Sequence, residues 1–313
     1  MKTRRDFVKL TALGAMATVP FNGLANPIFG DAIDLEVSIF SKHLQFLDYK
    51  STGEMAAELG FSGVDLTVRP KGHVLPEEVE KMLPKAIKDI QKGGSVCKMI
   101  TTSIESTSNP LDVAIIHTAS KENVEFYRTN WFKYKKDISM PESLEFYADE
   151  INKLGELNKE AGGIVGCYQN HAGVSVGASF WEIQKILEKV DPKYFGAQYD
   201  IRHATVEGGR SWKNGLELLQ SHIKVIVLKD YLWKQINGKW KLFNVPIGEG
   251  MVDFDAYFKL LKQYGLKPPV SLHLEYDLGG AEKGKKSITV DKKVVFDAMR
   301  KDLNTVKDLW KKA

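Results

Sequence analysis

Cysteine is scarce: Cys97 and Cys167 are the only two in 313 residues. That excludes a disulfide-stapled scaffold and leaves the fold to an ordinary hydrophobic core. Both lie inside apolar runs and are expected to be buried free thiols, since cysteine is among the most buried residue types. Long apolar runs are also missing. The run at 10–21 falls short of the ~20 residues that cross a bilayer, and no later segment approaches that length. No Gly-rich phosphate fingerprint follows the first predicted strand, so a nucleotide cofactor is not expected. No basic stripe with interleaved aromatics is present, so nucleic acid is not an expected partner. No internal repeat and no second domain is visible.

The first residues have a layout of their own. Thr3-Arg4-Arg5-Asp6-Phe7-Val8-Lys9 is followed by the apolar run and then by the small-x-small site Gly23-Leu24-Ala25. This order predicts a twin-arginine signal peptide at 1–25, passage through the twin-arginine translocase, and a soluble periplasmic protein formed by 26–313. That route carries folded proteins and is often used where a metal or cofactor is loaded first. The segment holds four basic side chains against one acidic, so its removal lowers the formal charge from +4 to about +1. The basic balance of the whole chain is in part the signal's.

Beyond it, short apolar runs alternate with amphipathic helical stretches about eight times. Strands are predicted at 35–40, 63–68, 96–102, 124–129, 163–169, 195–200, 224–229 and 270–275. Helices include 52–59, 76–91, 141–160, 180–190, 212–221, 254–264 and 294–310. Runs such as Val225-Ile226-Val227-Leu228 suit strands buried on both faces. Strict alternation of this kind implies parallel strands with right-handed crossovers, and eight units favour one closed α/β barrel, a (β/α)8 fold. One insertion, 232–243, contains Asn237-Gly238 and predicts a β-hairpin after strand seven. It should lie on the C-terminal rim, as should the polar stretch 281–291.

In such a barrel, polar residues at the C-terminal ends of strands face the active site. They are Ser41-Lys42-His43, then Asp65, Thr67, Arg69 and His73, then Arg128. Gln169-Asn170-His171, Asp200-Ile201-Arg202-His203, Lys229-Asp230, and His273 with Glu275 complete the set. Five of the seven histidines fall on this rim, while His117 and His222 fall on helices. Such convergence points to a site.

Several segments together resemble the xylose-isomerase-like barrels, which include ketose 3-epimerases, inosose dehydratases and the related apurinic endonucleases. Tyr199-Asp200-Ile201-Arg202-His203 is similar to their D-x-x-H segment, Tyr168-Gln169-Asn170-His171 to E-N-H, and Lys229-Asp230 to H-x-K-D. Gly248-Glu249-Gly250-Met251-Val252-Asp253-Phe254 resembles their G-x-G-x-V-D-F, and Glu275 stands where they have a glutamate. The resemblance covers most of the chain beyond the signal. It implies a divalent ion held by Glu, Asp, His and Glu, positions occupied here by Gln169, Asp200, Val227 and Glu275. Two are intact. Residues two apart on a strand share a face, so His171 or His273 could replace the missing imidazole for Mn, Zn or Fe. The expected ion is then held by Asp200, Glu275, Gln169 and His273.

The resemblance also implies chemistry on a sugar. Gln169 cannot take up a proton, which impairs a two-base epimerisation. A one-base reaction survives, in which a base removes the proton beside a carbonyl and a cation steadies the enolate. Glu275 is the expected base, Lys229 the expected stabiliser, and His171 and His203 further catalytic candidates. His43, Arg69, His73, Arg128, Arg202 and Asp230 are candidates for holding substrate, with Arg202 a second candidate stabiliser. An exported enzyme meets few phosphorylated sugars, so the expected substrate is a free sugar or a 3-keto-glycoside supplied by a separate sugar oxidoreductase. The expected reaction is lyase, hydratase or isomerase chemistry. The contrasting reading is a sugar-binding barrel that kept the pocket and lost the metal.

Overall fold

The computed structural model describes residues 35–313. The predicted signal segment, its cleavage site and the start of the predicted barrel domain at 26 lie outside the described residues. Eight parallel strands close into a barrel: β1 (Val37–Phe40), β2 (Gly63–Val68), β3 (Met99–Thr102), β4 (Phe126–Arg128), β5 (Val165–Gln169), β6 (Phe195–Asp200), β7 (Ile223–Leu228) and β10 (Val270–Leu272). β1 pairs with both β2 and β10, which closes the ring. Helices α1 (Tyr49–Leu59), α2 (Val79–Lys92), α3 (Pro110–Lys121), α4 (Met140–Glu160) and α5 (Phe180–Leu187) follow the first five strands. Then α6 (Ile201–Gly208) and α7 (Trp212–Leu219) follow β6, α8 (Phe254–Gln263) precedes β10, and α9 (Lys292–Lys312) ends the chain.

Local sequence explains these elements. α4 opens with a reciprocal cap: Glu142 N donates to Ser139 Oγ, and Ser139 N donates to the Glu142 carboxylate at 2.8 Å, with Pro141 in the first turn. α9 is capped by Asp291, which accepts from Lys293 N at 2.7 Å. It buries Val295, Met299, Leu303, Val306 and Trp310, a three-to-four-residue repeat that lays one apolar stripe on the barrel. Gly53 of α1 is a close-approach glycine, because a Cβ there would collide with the Ile90 main-chain carbonyl of α2.

The barrel interior changes character along its axis. Met99, Cys167 and Val225 come from alternate strands and form a small apolar cluster apart from the large one between barrel and helices. Two residues further along those strands, Thr101, Gln169 and Val227 share the inward face. At that level Asp65 accepts from Ser271 Oγ at 2.6 Å and from Thr101 Oγ1 at 3.0 Å. β1 separates β2 from β10, so the Ser271 bond spans the interior. Burial pushes the Asp65 carboxyl up, against the pull of Ser271 and Thr101.

The predicted hairpin is present as β8 (Asp230–Ile236) and β9 (Lys239–Val245), longer at both ends than 232–243. Its turn residues Asn237 (φ 50°) and Gly238 (φ 74°) are both left-handed, as a two-residue turn between twisted strands requires. Other boundaries differ from the prediction. β10 ends at Leu272; His273 N still donates to the Leu228 carbonyl at 3.0 Å, and Leu274 and Glu275 continue beyond the ladder. Cys97 precedes β3 rather than lying in it, and both cysteines are buried and free. α6 begins directly at the end of β6, where the sequence showed only a polar cluster.

Candidate active site

The C-terminal mouth of the barrel holds a cleft lined by side chains from β1, β4 and β5 and from the segments that follow β1, β2, β4, β5, β7 and β10. Its chemistry is organised by Asp200, which is fully buried at the end of β6. Asp200 Oδ1 caps α6 by accepting from His203 N at 3.0 Å. Its Oδ2 accepts from Gln169 Nε2 at 2.8 Å and faces Lys229 Nζ at 3.1 Å. Lys229 is 4% exposed, and its Nζ also lies 2.9 Å from His203 Nε2 and 3.7 Å from Glu275 Oε2. The ammonium therefore sits between the two carboxylates.

Glu275 is the carboxylate that substrate can reach, with a side chain 24% exposed. Its Oε1 is 3.2 Å from Lys42 Nζ and 3.8 Å from His273 Nδ1. Burial works against its ionisation, but Lys229, His273 and Lys42 together hold its carboxyl well below the usual range. Asn244 of β9 steadies this end of the strand. It donates to the Glu275 carbonyl at 3.2 Å and accepts from Arg202 Nη2 at 2.7 Å. His203 is held neutral by burial and by Lys229. A neutral imidazole has one acceptor nitrogen, while Arg202 faces Nδ1 at 3.0 Å and Lys229 faces Nε2. The ring can accept from only one of them at a time.

The sequence profile of the xylose isomerase-like TIM barrel family matches residues 54–290, most of the chain. The chain belongs to that family. An inosose dehydratase from Geobacillus thermodenitrificans is 28% identical over 158 residues, which are 46% of this chain and 51% of the relative. The chain thus spans about half the length of that curated relative. Among solved structures, the IOLI protein with a bound zinc atom aligns at TM-score 0.65 and 16% identity over 89% of this chain and 99% of that one. A 3-keto-D-glucoside 4-epimerase from E. coli aligns at TM-score 0.62 and 12% identity over 86% and 99%.

Whether this xylose isomerase-like barrel can hold an ion depends on its own donors. Val227, paired in register with Asp200, offers none. Gln169 turns its amide N–H to Asp200. Lys229 Nζ lies 3.1 and 3.7 Å from the two carboxylates, so an ion bridging them would meet an ammonium already there. Of the two candidate replacement histidines, His273 has an unpartnered Nδ1 facing Glu275 and an Nε2 3.1 Å from Ser271 Oγ. Burial pushes its pKa down to about 4. His171 packs on Trp131 and His203, with ring centroids 4.3 and 4.0 Å away. That donor set does not fit a divalent ion.

The structure brings Arg69, Arg128, Gln169, His171, Lys229, His273 and Glu275 together around the cleft. It puts four other candidates to main-chain or scaffold work. His43 is fully buried; its Nε2 accepts from Leu274 N at 3.0 Å and its Nδ1 lies 3.3 Å from the Ala281 carbonyl. Both nitrogens are spent joining the turn Ser41–Leu44 to the segments after β10. His73 faces Ser41 Oγ at 3.1 Å and Thr67 Oγ1 at 3.3 Å, borders a separate hollow with Tyr49 and Lys286, and is pushed by burial down to about 4. Asp230 accepts four backbone N–H groups, from Tyr231, Gly248, Gly250 and Val252 at 2.8 to 3.1 Å, and so folds the loop before α8. Arg202 braces His203 and Asn244. Lys42, placed at the mouth but given no role, and Phe40 and Trp131, which were not singled out, complete the cleft. An irregular loop carries Trp131, so strand alternation could not place it. Asn244 fell just beyond the predicted hairpin, which ended at 243, and β9 extends over it.

Proposed function

We propose that the chain is a sugar-modifying enzyme that removes a proton beside a carbonyl without a metal ion. The observation that carries this reading is the Lys229 ammonium between buried Asp200 and reachable Glu275. Glu275 takes the proton from carbon, the electron pair moves onto the carbonyl oxygen, and Lys229 and Lys42 steady the resulting oxyanion. Asp200 and Gln169 keep Lys229 in place. The enolate then expels a group on the neighbouring carbon, which leaves with a proton, or it recovers a proton on carbon or oxygen. Elimination and isomerisation share this first step. The relatives support the class: the dehydratase and the 3-keto-glucoside epimerase are named for reactions at carbonyl-bearing sugars.

The twin arginines at 4 and 5 support export to the periplasm, hence a substrate that is not phosphorylated. A 3-keto-glycoside would then come from a separate oxidoreductase. The test is proton exchange in D2O, followed by NMR, on ketoses and 3-keto-glucosides with protein dialysed against a chelator. Loss of the proton beside the carbonyl, abolished in Glu275→Gln, is the expected result. Exchange that needs added Mn or Zn overturns the metal-free reading. Binding with no exchange of any substrate leaves a sugar-binding barrel instead, which the loss of a family ligand at Val227 would explain.

A further inference from the structure

The mouth carries more positive charge than its carboxylates use. Asp200 and Glu275 are matched by Lys229 and Lys42. Arg69 and Arg128 line the same cleft, and among the described residues neither has a carboxylate oxygen within 4.0 Å. Asp65, the buried acid whose field reaches both, is already bonded to Ser271 and Thr101. Arg128 is 3% exposed, and among the described residues its guanidinium makes one hydrogen bond, a long one from Nη2 to the Thr102 carbonyl at 3.4 Å. Its Nη1 is buried with no partner. Its face lies 4.3 Å from the Trp131 ring, so the free N–H edge is what remains to bond. Burial and the nearby Arg69 pull its pKa down to about 9. Arg69, half-buried, lies 5.4 Å from the Phe40 ring. Two guanidinium groups in one cleft with no carboxylate at ion-pair distance are costly to fold, and a bound anion would lower that cost.

We infer that Arg128 and Arg69 seat a carboxylate carried by the substrate, so that the enzyme acts on a sugar acid of the uronate type. The reaction part of this rests on the proposed function; the binding part does not. A planar fork matches a carboxylate edge. A phosphate would draw on a helix N-terminus or free backbone N–H groups, and α6, the helix that begins directly at the end of a strand, already has its N-terminus capped by Asp200. The enclosed part of the cleft is about 50 Å³ and opens at its mouth, which is room for a carboxylate with the sugar ring lying toward the opening.

The experiment is calorimetric titration with D-glucuronate, D-galacturonate, D-glucose, D-glucuronamide and D-glucose 6-phosphate. One uronate is expected to bind about tenfold or more tighter than glucose and the neutral amide, because a charge-assisted pair is lost in both. Arg128→Met and Arg69→Met should each cancel that preference, and Arg128→Lys should keep part of it. Arg128→Met should also raise Tm by removing an unpaired buried charge, whereas replacing a merely structural arginine lowers it. Should Arg128→Met fail to fold, Arg69→Met decides the matter alone. Equal affinity for uronate and glucose, no uronate binding at millimolar concentration, tighter binding of the phosphate ester, or an intact preference in Arg69→Met overturns the inference. Proton exchange on neutral sugars without a uronate preference would sink only the substrate class. A uronate preference without exchange would sink only the reaction.

Discussion

The two sides of the barrel mouth treat charge differently. On the side built by β5, β6, β7 and β10, Lys229 lies within 4 Å of both Asp200 and Glu275, and Gln169, His203, Arg202 and Asn244 hold the three in place. On the side built by β1 to β4, Lys42 reaches across to Glu275, but Arg69 and Arg128 end in the cleft without a counter-ion. On the first side both carboxylates are paired without a ligand, although among the described residues His273 Nδ1 and Arg202 Nε keep no partner, and that pairing suits groups that must be preorganised for a developing charge. The second bears a desolvation cost that a bound anion would offset. On the proposed reading the catalytic groups lie on the first side, with Lys42 reaching them from the second, and the specificity groups lie on the second.

The largest expected effect comes from the paired side. Glu275→Gln should lower kcat by about 10²–10⁴-fold with little change in Tm, the range for loss of a positioned base. Activity within a few-fold of wild type would move the base elsewhere and end the division of labour. Next, Lys229→Met should lower kcat by about 10²–10³-fold, as for loss of one donor to an oxyanion. It should also destabilise the fold by about 3–5 kcal/mol in thermal unfolding, since it leaves Asp200 uncompensated. Adding Val227→His in that background should admit Zn or Mn, measurable by metal analysis of dialysed protein; wild type should retain neither. Tight metal in wild type would show that Lys229 moves aside, and the two sides would then differ for another reason.

Asp230 tests whether a rim acid can lie outside both groups. Asp230→Asn keeps one carbonyl oxygen for four N–H donors. It should cost about 1–3 kcal/mol in chemical denaturation while KM stays unchanged. A raised KM with normal stability would return Asp230 to the substrate site. The smallest effect concerns an acid away from the mouth. Asp302 of α9 is buried beside the Tyr276 hydroxyl at 3.0 Å, and burial raises its pKa from 3.8 to about 7. A raised folded-state value means the native protein holds the proton more tightly. The stabilisation is therefore fully present below about 4 and is lost as pH rises through about 7. Asp302→Asn should flatten that slope in Tm against pH and leave proton exchange unaltered.

Much of this molecule could be read from the chain. Alternation of both-faces-apolar runs with amphipathic stretches implied the closed barrel, because parallel strands need covered faces and helical crossovers. Asn237-Gly238 implied the hairpin, because few residues tolerate two successive left-handed positions. Strand ends likewise marked Asp200, Lys229 and Glu275 as mouth residues. Tertiary structure decided which polar groups face the cleft. His43 and Asp230 lie at strand ends as the others do, but unpaired backbone N–H groups of adjoining loops lie closer to them than the cleft does, and a buried N–H must be satisfied. Loop paths set that competition, and hydropathy does not encode them. The same holds for Lys229. Its position in the sequence says that it points inward, but only the packed barrel brings Asp200 and Glu275 to either side of its ammonium, from strands 29 residues before and 46 after it.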